Sequence, residues 1–126
     1  MAVIPDLAWT APAPGPGPGV VVDTRLHVRR LRDVPLFLRT SLAVHRQAVR
    51  SPGARSVRLR AQPLARRFTT VSWWDDAEAA RAFAHAEPHR SAMRSWRPRM
   101  DQADITWRPG VAGVAPEPAG PAATTP

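Results

Sequence analysis

Segments with a period-two apolar pattern and segments with a helical pattern follow one another in the order βαββαβ. This predicts an α+β fold of ferredoxin-like type, an antiparallel four-stranded sheet with its helices on one face. Three features carry the prediction. VVVDTRLHV, Val20 to Val28, alternates cleanly; a long amphipathic run separates it from the next strand; and the strand RRFTTVSWW passes straight into a helix-start signal.

In the first strand, Val20, Val22, Leu26 and Val28 oppose Val21, Asp23, Arg25 and His27. The first helix follows, with Asp33 as candidate cap, Pro35 in its first turn and Ser51–Gly53 as its stop. RSVRLRA, Arg55 to Ala61, alternates again, with Val57, Leu59 and Ala61 on one face and Arg58 and Arg60 on the other. The third strand sets Phe68, Thr70, Ser72 and Trp74 against Thr69, Val71 and Trp73, a β-branched and aromatic composition. Asp75 with Glu78 three residues on reads as a reciprocal cap for the second helix, which Pro88 breaks or restarts. Asp104 to Arg108 supplies the last strand.

The foldable domain is therefore expected over residues 20–108, between a Pro/Gly-rich N-terminal strap over 1–19 and a disordered tail over 109–126. Ile4, Leu7 and Trp9 are too apolar for a free tail and are candidates to dock on the body. A domain of this size buries only a modest core, so a partner subunit would help it. The chain has no cysteine, which excludes disulfides, thiolate catalysis and cysteine zinc sites, and it has no run of eighteen apolar residues. With no signal-peptide pattern at the N-terminus, a cytoplasmic protein without a membrane partner is expected. All eighteen basic residues are arginine and the net charge is +8, which permits loose attraction to anionic partners.

On a helical wheel the first helix turns Phe37, Leu38, Ser41, Leu42, Val44, His45, Ala48 and Val49 to the sheet, and Arg39, Ala43, Arg46, Gln47 and Arg50 away. His45 is thus expected to be buried, either as a satisfied core residue or as a proton acceptor near neutral pH. After Pro88, residues His89, Ala92, Met93 and Trp96 share one face of a short helix, so His89 points at the body, beside Trp74 and Trp96. It either anchors the kink or orients an aromatic ligand. His27 and His85 are expected to be partly exposed. The four histidines are scattered without carboxylates at ligand spacing, so no metal site is expected.

RFTTVSWWDDAEAARAFAHAEPHRSAM, together with HRQAVRSPGARSVRLRAQPL and VVVDTRLHVRRLRDVPLF, resembles the antibiotic biosynthesis monooxygenase-like, dimeric α+β barrel superfamily, over roughly residues 20–108. In particular it resembles a group of small proteins of that superfamily from high-GC bacteria. The resemblance implies a homodimer that pairs its sheets, and in each subunit a cavity between sheet and helices that takes a small aromatic molecule. For such a cavity the inward-turned His45 and His89 are the catalytic candidates, and Phe37, Ser41, Phe68, Trp74, Phe83, Met93 and Trp96 the substrate-binding ones. The activity it implies is cofactor-independent oxygenation of phenolic or polyketide-like substrates, with no cofactor; a non-catalytic ligand-binding or interaction module is the alternative. Haem-degrading members carry a tryptophan in the second helix and a haem-ligating histidine ten residues later. Here those places hold Phe83 and Met93, which argues against haem cleavage of that type.

The same strand order describes RNA-recognition domains, but RRFTTVSW puts Arg67 and Thr69 in the glycine places of that motif and Thr70 where its second aromatic belongs. Specific nucleic-acid binding is disfavoured.

Overall fold

The computed structural model describes residues 5–117. The expectation for Ile4 and the 118–126 part of the expected disordered tail over 109–126 lie outside those residues; within 109–117, Pro109 ends the last strand, Val111 bridges Val114 and Glu117 meets Arg58 and Arg108. The elements are β1 (Leu7–Thr10), β2 (Val20–Val28), α1 (Val34–Arg50), β3 (Ala54–Gln62), β4 (Arg67–Trp74), α2 (Ala77–His85), α3 (His89–Trp96) and β5 (Met100–Pro109). They form one antiparallel sheet in the order β1-β3-β4-β2-β5. The two crossovers, β2 to β3 through α1 and β4 to β5 through α2 and α3, each skip one strand, which gives the ferredoxin-like arrangement. Among the described residues no helix is long and apolar enough to cross a membrane.

The sheet has five strands rather than four, because Leu7–Thr10 adds to the free edge of β3 with Trp9 opposite Val57. Trp9 packs against the buried cluster of Ala48, Val57, Trp74 and Ala80, so this residue ahead of the Pro/Gly run does dock on the body. The strap that follows is held in place. Arg55, only 2% exposed, donates from Nη2 to the Pro16 carbonyl (2.6 Å), from Nη1 to the Gly17 carbonyl (2.9 Å) and from Nε to Asp75 (2.7 Å). Its guanidinium lies over the Trp73 ring, whose Nε1–H donates to the Pro18 carbonyl at 2.8 Å. Gly19 closes the strap with φ +65, and any Cβ there would collide with the Trp74 carbonyl.

Alternation along β2 and β4 sorts the sheet into two faces. Leu26, Val28, Phe68 and Trp74 meet the helices; Val21, Val71 and Trp73 form a separate buried cluster on the outer face. That outer cluster lies beneath the chain's own ends. Gly110 donates its N–H to the Gly19 carbonyl, and Glu117 meets Arg108 of β5 through its carbonyl and Arg58 of β3 through its carboxylate. Several arginines of this face are also paired internally: Arg60 forks onto Asp6 (3.0 and 2.9 Å), and Arg108 reaches the buried Asp23 at 2.7 Å.

Two caps differ from the sequence expectation. Asp76, not Asp75, caps α2, accepting from the Ala79 N–H at 2.8 Å, because the Asp75 carboxylate is engaged by Arg55. Asp33 makes no side-chain cap; a short 3-10 turn over Leu31–Asp33 leads into α1 instead. β5 starts four residues earlier than its apolar pattern indicates, since its polar front half pairs with β2 at a solvent-exposed edge.

Candidate functional site

Under the helices the core divides into two clusters. Toward the N-terminus of α1, Phe37 stands edge-on to Phe68 (4.7 Å between centroids) and Trp96 (4.8 Å). Toward its C-terminus, Trp74 stacks on Phe83 at 5.1 Å, with Ala48, Val57 and Ala80 around it. Aromatic contacts of this kind contribute about 0.5–1.5 kcal/mol each beyond their burial. Between the clusters lies a cavity of about 230 Å³. Its floor is the helix-facing side of β2, β4 and β5, and its walls are α1, α2 and α3.

Of the residues singled out from sequence, Phe37, Ser41, His45, Trp74, Phe83, His89, Met93 and Trp96 all line this cavity. Phe68 does not. It is 1% exposed and sits behind Phe37 as core packing. Sequence reasoning missed the open side: Ile105 and Trp107 of β5 line the cavity while remaining 48% and 44% exposed, because no helix covers the outermost strand. It also missed the hydroxyls of Thr70 and Ser72 on the floor and Arg97 at the rim, the one charged residue among the lining side chains.

His89 begins α3, where Pro88 restarts the chain direction after α2. Its Nδ1 lies 2.9 Å from the Ala84 carbonyl oxygen. A carbonyl can only accept, so Nδ1 carries the proton and the neutral ring keeps its lone pair on Nε2. Among the described residues no side chain is recorded in a hydrogen bond to Nε2. Burial holds the His89 pKa below the ordinary histidine value; the Ala84 carbonyl opposes that shift, and the nearby His85 reinforces it. Phe83 tilts against the imidazole at 4.8 Å.

Gln47, expected on the outward face of α1, is what fixes this corner. Its Oε1 accepts the His89 backbone N–H (2.8 Å) and its Nε2 donates to the Phe83 carbonyl (3.0 Å), so one side chain ties α1 to both α2 and α3. No apolar periodicity signals such a residue.

His45 is 8% exposed, as its place on the wheel predicted. Its Nε2 is buried without a hydrogen-bond partner among the described residues. Burial lowers its pKa, an effect that the backbone of Val57 and Leu7 only partly offsets. Both cavity histidines are therefore neutral at pH 7. His27 pairs with Asp101, and His85 is exposed, away from the cavity. No group of three or more potential metal ligands is found among the described residues.

With that geometry, comparison with solved structures is informative. A ferredoxin-fold protein from Listeria monocytogenes, related to antibiotic biosynthesis monooxygenases, superposes with a TM-score of 0.62 at 18% identity, covering 82% of this chain and 61% of that one. The chain has the fold of the antibiotic biosynthesis monooxygenase-like proteins. A variant of SnoaB, a cofactor-independent oxygenase from Streptomyces nogalater, gives 0.60 at 15% identity, covering 73% of this chain and 92% of that one. LmHde, a heme-degrading enzyme from Listeria monocytogenes, gives 0.63 at 18% identity over 80% of this chain. The chain spans 61% and 65% of the lengths of the two Listeria proteins. No family model and no curated protein sequence matches it.

Proposed function

We propose that the cavity binds a flat, largely apolar phenol or enol and that His89 removes a proton from it, in a cofactor-independent oxygenation. The observation that carries this reading is the Nδ1–Ala84 contact at 2.9 Å, which leaves the Nε2 lone pair of a neutral, half-buried imidazole that lines an apolar cavity. A general base needs a fixed tautomer, a free lone pair and a depressed proton affinity near working pH.

Size narrows the substrate. A cavity of about 150 Å³ holds benzene, so about 230 Å³ suits two fused rings, with any further ring emerging past Ile105 and Trp107. The Ser41, Thr70 and Ser72 hydroxyls supply donors for the anion formed on deprotonation, at positions otherwise surrounded by carbon. That anion passes an electron to dioxygen, and the radical pair combines to a peroxide at ring carbon. Return of the proton from His89 and loss of water leave a carbonyl, so one oxygen atom enters the product and the other departs as water.

Protein surroundings that exclude water favour this sequence, since the anion is not quenched by bulk proton transfer. A role as a ligand-binding module without turnover uses the same cavity and differs only in the proton transfer. Titration with a naphthol-type phenol, followed by quenching of tryptophan fluorescence, tests occupancy. Wild type saturates, and Ala92→Phe, which fills the cavity from α3, does not; undiminished binding by that variant rejects the site.

A further inference from the structure

A second concavity lies where β2 ends and β5 begins. It has a volume of about 360 Å³ and is lined by Arg29, Arg30, Arg32, Asp33, Pro98 and Arg99. Arg66, Arg67 and Arg97 surround the same end of the sheet, so seven of the chain's eighteen arginines gather there, against two carboxylates, Asp33 and Asp101. None of the four lining arginines has a carboxylate within ion-pair distance among the described residues. That contrasts with Arg55, Arg58, Arg60 and Arg108, each of which does.

Two hydrogen bonds, one between backbones and one from the Arg66 guanidinium, give the cleft a fixed frame. The Arg29 N–H donates to the Arg99 carbonyl at 2.8 Å, and Arg66 donates to the Arg29 carbonyl at 2.9 Å. Arg99 is held across the face of Trp96 at 4.9 Å. Asp33, the single lining carboxylate, caps nothing. The result is a concave surface of unneutralised guanidinium groups whose mutual repulsion an anion would relieve.

We infer that this cleft binds a small polyanion bearing linked phosphoryl groups. Guanidinium forks match phosphoryl oxygens two at a time, and the volume exceeds what one phosphate needs. Single-stranded nucleic acid is the less favoured ligand, because such binding uses exposed aromatic platforms and Trp96, the aromatic residue beside the cleft, is 5% exposed. The assignment is independent of the chemistry proposed for the apolar cavity.

Calorimetric titration with inorganic tripolyphosphate tests it, using the full chain, the double variant Arg30→Gln/Arg32→Gln and a control, Arg90→Gln/Arg94→Gln, that removes two charges from the exposed face of α3. The expected result is one site per chain, weakened about tenfold or more in the cleft variant, the scale of losing one charge-assisted contact, and changed less than twofold in the control. Unchanged melting temperatures establish that the variants are folded. Equal weakening in both variants, several weak sites, or no binding overturns the assignment. So does tighter binding, through the same arginines, of a single-stranded oligonucleotide of about twelve nucleotides.

Discussion

The imidazole of His89 is oriented by the carbonyl of Ala84, one turn back across the α2–α3 corner, at 2.9 Å from Nδ1. That contact decides which nitrogen carries the proton and leaves the lone pair of this cavity-lining ring on Nε2. Because Gln47 holds the His89 backbone N–H and the Phe83 carbonyl, the orientation depends on α1 as well. Gln47→Leu is expected to lower turnover about tenfold, since small misplacements of a reacting group are costly, with ligand affinity nearly unchanged. Comparing the maximal rate with the half-saturating concentration checks this. A loss confined to affinity would place Gln47 outside the positioning role.

Burial of two neutral histidines makes stability depend on pH. Both His45 and His89 have pKa values lowered from 6.5, with desolvation as the leading cause. At a pH between the folded and unfolded values the unfolded chain binds more protons, so acid favours unfolding. Their stabilising contribution is complete above pH 6.5 and is lost as pH falls through the depressed folded values. Urea midpoints measured from pH 8 to pH 5 should fall below that point, and fall less in His45→Gln. A midpoint independent of pH would show that neither ring is desolvated as described.

How much of this was legible in the sequence varies by element. The βαββαβ order and the inward turn of His45 and His89 follow from local periodicity, which a single chain displays directly. β1 was not legible as a strand. Four residues isolated by a Pro/Gly run have no periodicity to read, and their pairing with β3 is a long-range event. The cap slipped from Asp75 to Asp76 for a similar reason: Arg55, twenty residues away, competes for the first carboxylate. Gln47 acts through two polar contacts rather than through burial on an apolar face, and Ile105 and Trp107 matter because of what does not cover them.

Arg55 joins the strap to the sheet by bonds that no single substitution elsewhere replaces. Arg55→Met keeps the stem on Trp73 but leaves the Pro16 and Gly17 carbonyls without their donor. The expected cost is about 2 kcal/mol or more, read from chemical denaturation, accompanied by faster proteolysis within residues 11–19. A change in stability below a few tenths of a kcal/mol would mean that water serves those carbonyls equally well.

The outer sheet face is filled by the chain's own terminal segments. Ending the chain at Pro109 removes Gly110, which lies against Trp73, and Glu117, which bridges Arg108 and Arg58, and exposes apolar surface at Trp73. Light scattering should then show the shortened chain at a higher mass than the full-length one at equal concentration. Identical masses would mean that this segment does not govern pairing through that face.

Oxygen consumption is the most direct measure of the proposed proton transfer. With a naphthol- or anthrone-type phenol at saturating concentration, wild type should consume oxygen above the buffer rate, with the acid limb of its pH profile below 6.5. His89→Gln, which fills the space but cannot accept the proton, should fall to the buffer rate while still binding the phenol. Uptake by His89→Gln equal to that of wild type would contradict the assignment of His89 as the base.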